Sequence, residues 1–319
     1  MTIAKLSLIG ALALAGCSTT TTTGPATSRL FATDVGTSIA ALGAGKTLTA
    51  QKGGVAALAS DYSAGTIAPV KVSFQMKQNA NGQLSIIVDG IERAFTVADR
   101  DVDPNSGLTY GYYYQDTGAQ IWVGVWSYQG TLDQALNPAG TNYVQIWGFY
   151  ADMTQSGIGT TGFATIGTET TPAAISALSG TATYAGPARL DVYPANTTGG
   201  AANRTKFRGN LNMNVDFGSS TISGMISNMT VGQPGQPDTS FAGTMALDPT
   251  AINSNGFAGT MTPDAATLAQ IAGGATGTGT YGGTFYGPSA NQLGGTMTFS
   301  GTAGGVGQNG IGYFSGNMN

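Results

Sequence analysis

The sequence predicts a mostly β protein: a C-terminal eight-stranded antiparallel up-and-down β-barrel, preceded by a smaller β-rich domain. Three observations predict it. Glycine makes up 50 of 319 residues and is accompanied by abundant Thr, Ser and Asn, the chemistry of strands and tight turns rather than of long helices. Large apolar residues of the second half keep to one parity class. In "GNLNMNVDF" (209–217), Leu211, Met213, Val215 and Phe217 share one face of an extended strand, and Asn210, Asn212, Asn214 and Asp216 share the other. Strands of this kind recur eight times between turn signals, and a set of short strands with one apolar face each closes most naturally into a barrel without edges.

In chain order, the first element is a processing signal. Lys5 gives a basic start, "LSLIGALALA" a short apolar run, and "LAGC" (14–17) places small residues before the only cysteine. Residues 1–16 resemble a bacterial lipoprotein signal, which implies cleavage before Cys17 and lipid attachment to Cys17. Ser18 resembles the residue that follows the cysteine in outer-membrane rather than inner-membrane lipoproteins. Residues 17–30, rich in Thr and Ser, read as a flexible tether. No later stretch reaches membrane-spanning length, so membrane attachment is expected through the N-terminal lipid.

Residues 31–164 form the expected β-rich N-terminal domain. Its start is Ala/Gly/Thr-rich and predicts one short helix around "GGVAALASDY" (53–62). Strands follow at "VKVSFQM", "LSIIVD", "ERAFTVA", "LTYGYYYQ", "QIWVGVWSY" and "NYVQIWGFYA". In the fifth, Trp122, Trp126 and Tyr128 share one face and Ile121, Val123 and Val125 the other, which predicts a central strand. The run Tyr112-Tyr113-Tyr114 must point to both faces of its strand, so these three tyrosines are the candidate partner contacts. Residues 152–178 are short polar pieces that read as a boundary region.

Residues 165–319 hold the eight barrel strands, at "GTATYAG", "GNLNMNVDF", "TISGMISNM", "SFAGTMAL", "GFAGTMT", "GTYGGTFYG", "QLGGTMTFS" and "IGYFSGN". Gly224, Gly243, Gly259, Gly283 and Gly295 stand within them and relieve crowding on a strongly curved wall. "TPDAATLAQIAGG" (262–274) predicts a short helix between the fifth and sixth strands.

The composition excludes whole classes of chemistry. With no histidine, the commonest general base and metal ligand are absent, as is every Ser-His-Asp or Cys-His arrangement. With Cys17 expected to carry lipid, no disulfide or thiol chemistry remains. No catalytic residue, metal site or cofactor is predicted. "AALGAGKT" (40–47) satisfies the relaxed phosphate-loop spacing but lacks a buried strand before it and a helix after it. Asp99, Asp101 and Asp103 imitate a calcium loop, yet Pro104 and Tyr110 stand where Gly and Glu are needed. The formal net charge of −4 becomes about −5 once Lys5 leaves with the signal, which disfavours nucleic acid as a partner.

The C-terminal residues resemble a known family. The lipobox, "IGTETTPAAISALSGTATYAG", the repeated Phe-Ala-Gly-Thr-Met at 241–245 and 257–261, and above all "GTFYGPSANQLGG" (283–295) followed by "GIGYFSGN" are similar to the barrel of transferrin-binding protein B-like surface lipoproteins. The family usually carries Glu where this sequence has Gln292. The resemblance covers roughly residues 165–319. It implies a monomeric, lipid-anchored outer-membrane protein, on the periplasmic or surface face, that captures a protein or solute ligand, with iron or haem acquisition as the associated role. The alternatives are a structural envelope lipoprotein without a dedicated ligand and a lipocalin-like small-molecule carrier. No site residue carries over from the family.

Overall fold

The structure is a computed structural model that describes residues 47–319 apart from 51–53, 62–64, 79–82, 103–108, 117–120, 128–142, 153–157, 197–203, 234–235 and 272–273. The signal, Cys17, the tether, nearly all of the phosphate-loop-like stretch and the last part of the calcium-loop-like stretch lie outside the described residues.

The first half contributes two antiparallel sheets. A four-stranded sheet has the order β1 (Thr47–Thr49), β4 (Phe74–Gln78), β5 (Leu84–Val88), β6 (Ile91–Ala94). A seven-stranded sheet has the order β3 (Thr66–Val70), β2 (Val55–Asp61), β11 (Ile158–Gly167), β10 (Val144–Asp152), β9 (Ile121–Ser127), β8 (Thr109–Asp116), β7 (Arg100–Val102). One face of the larger sheet packs on the smaller through Phe74, Met76, Ile86, Val123, Val125, Trp147 and Phe149, with Phe74 and Phe149 stacked at 4.8 Å. As expected, β9 is central, paired on both sides.

Several expectations for this half are corrected. The helix expected around "GGVAALASDY" is instead β2, paired with β3 and β11. Alanine favours helix in isolation, but here pairing between two strands outweighs that preference, because Ala56, Ala57 and Leu58 are buried from both faces. "VKVSFQM" divides into the end of β3 and the start of β4. "ERAFTVA" turns after Ala94 into a 3-10 turn (Val97–Asp99), where Asp99 accepts from the Thr96 backbone N–H at 2.6 Å. The stretch read as a polar boundary contains β11, which runs for ten residues beside β10 and β2.

After α1 (Pro172–Ala177), capped by the Thr171 side chain with Pro172 in the first turn, the barrel begins. Its wall runs β12 (Thr181–Pro194), β13 (Thr205–Asp216), β14 (Thr221–Gly232), β16 (Met245–Asn253), β17 (Gly256–Pro263), β18 (Ala275–Tyr286), β19 (Gln292–Ala303), β20 (Val306–Met318), and β20 returns to pair with β12. Each strand pairs with its neighbours in sequence, the up-and-down order expected. A two-residue strand, β15 (Thr239–Ser240), pairs with the end of β14. The expected strand "SFAGTMAL" begins only at Met245, so Gly243 lies before the wall and not in it. The helix between the fifth and sixth wall strands is α2 (Ala265–Ala269). Its cap is Asp264, which accepts from Thr267 N–H at 2.7 Å, while Pro263 closes β17.

The barrel interior is filled. Tyr184, Leu211, Met213, Phe257, Met261, Tyr281, Phe285, Leu293, Met297, Phe299 and Phe314 are each no more than 4% exposed. Gly295 is on this inner face, where an added Cβ would run into the Phe314 ring and the Gly282 carbonyl. The outer face of β13 carries Asn210, Asn212 and Asn214, which are exposed, and outward threonines pair across strands, as Thr280 and Thr298 do at 2.8 Å.

The barrel and the seven-stranded sheet share a third apolar cluster. Ala56, Leu58, Ile67, Ile146 and Phe163 meet Tyr193, Ile311 and Tyr313 on the barrel's outer face, with Phe163 edge-on to Tyr313 at 5.1 Å. Gln292 bridges the same joint. Its Oε1 accepts from the N–H of Tyr143 (2.7 Å) and Val144 (3.1 Å), and its Nε2 donates to Asn317 Oδ1 at 2.7 Å.

Candidate functional site

The three candidate tyrosines separate by parity, as consecutive strand residues must. Tyr112 is 6% exposed and packs against Phe95 at 5.4 Å in the core between the two sheets. Tyr114 is half-buried on that same face, with the Arg93 guanidinium 3.2 Å from its ring centroid. Tyr113 is half-buried on the other face, and its hydroxyl donates to Gln115 Oε1 at 3.3 Å. Burial raises the Tyr113 phenol above its ordinary value, so it stays a neutral donor.

The register places a further residue beside it. Tyr113 lies opposite Gly124 of β9, and Gly124 lies opposite Tyr150 of β10, itself half-buried. Two tyrosines thus flank a glycine in one cross-strand row, on the face where β10 and β11 meet the barrel. Tyr150 stands in plain view in "NYVQIWGFYA", but only the pairing of β8, β9 and β10 brings it into line with Tyr113.

The same row continues to Thr161, and across from it the outer wall of the barrel carries a charge cluster. Arg189 lies opposite Arg208, and Asp191 opposite Lys206, on β12 and β13. Arg189 grips Asp191 with both ends of its fork (2.8 and 2.6 Å), and Arg204 is 3.6 Å from the same carboxylate. Asp238 serves Lys206 (3.3 Å) and Arg208. Burial alone would raise the Asp191 carboxyl, but the attraction of Arg189, Arg204 and Lys206 outweighs it and holds Asp191 below the usual carboxylate range. Burial, with repulsion from Arg208, Arg189 and Arg204, pushes the Lys206 ammonium down to about 7, an effect that Asp191 and the nearby Asp238 oppose.

Among the described residues, the barrel interior is packed with side chains. The space bounded by Ala188, Leu190, Phe207, Met245 and Met297 does not admit a water. Inward hydroxyls are engaged: Tyr184 donates to the Ala290 carbonyl and Tyr281 to the Asp248 carbonyl, each at 2.6 Å. Burial raises both phenols, Tyr281 to about 12. Among the described residues no group of three or more acidic or cysteine side chains is placed to hold a metal ion, and no helix is long and apolar enough to cross a membrane.

Residues 177–317 match the family described as the C-lobe and N-lobe beta barrels of Tf-binding protein B. Among solved structures, intact Ap-TbpB with its N and C lobes is 16% identical over 83% of this chain and 46% of its own, with a TM-score of 0.41. Isotype 1 transferrin binding protein B from serogroup B Neisseria meningitidis is 17% identical over 83% and 43%, at 0.40. A mutant of the vaccine antigen transferrin binding protein B from Haemophilus parasuis Hp5 is 17% identical over 83% and 44%, at 0.41. This chain therefore spans less than half the length of those proteins. No curated protein matches. The match that carries weight is the one to the wall itself: residues 177–317, from the end of α1 through β20, are similar to those barrels.

Proposed function

We propose that this chain is a lipid-anchored binding protein of the bacterial outer membrane, non-enzymatic, which captures an iron-carrying protein with the first-half sheet while the barrel serves as scaffold. The observation that carries the reading is the family match of residues 177–317. Two features of the barrel support it. A barrel that spans lipid turns its apolar residues outward, whereas this one turns them inward and shows Asn and Thr outside, so the attachment falls to lipid on Cys17. A filled interior also weighs against the lipocalin-like carrier and leaves recognition to outer surfaces. Of the three tyrosines, Tyr112 serves the core. Contact is assigned to Tyr113, with Tyr150 beside it, and to the exposed edge of Tyr114.

The test is binding of iron-loaded and iron-free transferrin to the immobilised chain without its signal and lipid. The expected result is saturable binding that Tyr113→Ala and Tyr150→Ala each weaken at least tenfold, in the range of an interface anchor. Absence of binding to either form by the folded chain would leave the structural envelope reading in its place.

A further inference from the structure

Both sheets of the first half end on one stretch of chain. β6 is the last strand of the four-stranded sheet and β7 the last of the seven-stranded sheet, and only residues 95–99, with the 3-10 turn, separate them. Among the described residues no strand pairs with the far side of β6. Register fixes what that side offers. Ile91 and Arg93 lie opposite Val88 and Ile86 of β5, across a two-residue turn at Asp89 and Gly90, and the Phe95 N–H donates to the Leu84 carbonyl at 2.8 Å. Residues 91, 93 and 95 therefore bond inward to β5, and the backbone N–H and C=O groups of Glu92 and Ala94 point away from the sheet.

Strand edges of this kind are usually guarded by charged side chains. β6 has two, and both are drawn aside: Lys77 holds Glu92 at 3.4 Å, and the Arg93 guanidinium lies 3.2 Å from the Tyr114 ring centroid. Apolar side chains stand in the open beside the edge instead. Ile91 is 42% exposed, and Val97, at 73%, is the most exposed large apolar side chain among the described residues. The turn that displays Val97 is pinned, since the Thr96 N–H and hydroxyl both donate to the Asp99 carboxylate, at 2.6 and 2.7 Å. We propose that the free edge of β6 is a docking site for an extended segment of the captured protein, which adds to the four-stranded sheet as a fifth strand and sets an apolar side chain against Ile91 and Val97. Docking here rests on the protein capture proposed above, and it continues that contact surface from Tyr114 across Arg93 to the edge. An extended backbone is the occupant that unpaired N–H and C=O groups select. With four residues in β6, a segment of similar length suffices.

The test is hydrogen exchange of the chain alone and with iron-loaded transferrin, together with binding by two variants. The expected result is that the amides of Glu92 and Ala94 exchange freely in the chain alone and are protected in the complex, which side-chain contact without strand pairing would not do. Ala94→Pro removes an outward N–H while leaving the bonds to β5 in place, and Val97→Asp alters only an exposed side chain. Each should weaken binding at least tenfold and keep the thermal midpoint of the unaltered chain. Should Ala94→Pro fail to fold, Val97→Asp and the exchange of the unaltered chain decide. Binding without protection at residues 92 and 94, or binding that Val97→Asp leaves unchanged, would overturn the edge site alone, whereas no binding by the folded, unaltered chain would overturn the capture reading with it. Protection that grows with the chain's own concentration in the absence of transferrin would give the edge to a second copy of the chain and also overturn the site.

Discussion

Phe299 and Gly295 both face the barrel interior from one strand, β19. Phe299 is 2% exposed within the barrel cluster, and its replacement by Ala should cost about 3–5 kcal/mol in urea unfolding, the range for deleting a buried aromatic ring. Gly295→Val should also lower the midpoint despite valine's better strand propensity, because its Cβ has only the Phe314 ring and the Gly282 backbone to move against. Thr298→Ala loses one exposed hydrogen bond to Thr280 and should stay within about 1 kcal/mol. Midpoints for Phe299→Ala and Gly295→Val equal to that of the unaltered chain would contradict a filled barrel. Asp191 gives the acid dependence. Its carboxyl is held below the range it has in the unfolded chain, so its contribution is present above about pH 4 and lost as pH falls through the folded value. Stability measured from pH 6 to pH 3 should therefore fall less steeply in Asp191→Asn than in the unaltered chain, although Asp191→Asn is the weaker of the two at pH 6.

Among the elements, the barrel strands were legible in the sequence because each alternates cleanly. Leu211, Met213, Val215 and Phe217 need no knowledge of their neighbours to declare an inner face. The first half was less legible where burial comes from both sides. Ala56, Ala57 and Leu58 show no alternation, since one face of β2 meets the four-stranded sheet and the other meets the barrel. The candidate contact row was half legible: the tyrosine run is visible, but the parity that buries Tyr112 and the pairing that adds Tyr150 are not. The charge cluster was not legible, because Arg189 and Arg208 are far apart in sequence and meet only through the register of β12 on β13. Gln292 of β19 holds the start of β10. Gln292→Ala leaves the N–H groups of Tyr143 and Val144 without that acceptor, and should cost about 1–3 kcal/mol. Gly294→Val, whose Cβ would stand 2.8 Å from Val144 Cγ2, should loosen the same joint while leaving the barrel intact. Hydrogen exchange reads this as faster exchange in β10 and β11 with unchanged protection in β13 and β14; uniform loss of protection would contradict it.

For the whole molecule, the seven-stranded sheet is the middle layer, with the four-stranded sheet on one face and the barrel on the other. A chain of residues 168–319 retains every wall pairing and should unfold cooperatively with a β-type circular dichroism spectrum. It also bares Tyr193, Ile311 and Tyr313, so it should melt below the full chain and self-associate in sedimentation at high concentration. A spectrum without β structure would contradict a barrel that closes its own ladder. We have proposed that a lipid on Cys17 holds a polar-walled barrel at the outer membrane so that the sheet can capture a protein. The most direct measurement is retention of labelled, iron-loaded transferrin by intact cells expressing the full chain or Cys17→Ser, with surface protease reporting exposure of the chain. The expected result is retention by cells carrying the unaltered chain and loss of retention in Cys17→Ser, with that protein recovered in soluble fractions. Cells whose chain is protease-accessible yet retain no transferrin, or Cys17→Ser cells that retain it fully, would contradict the account.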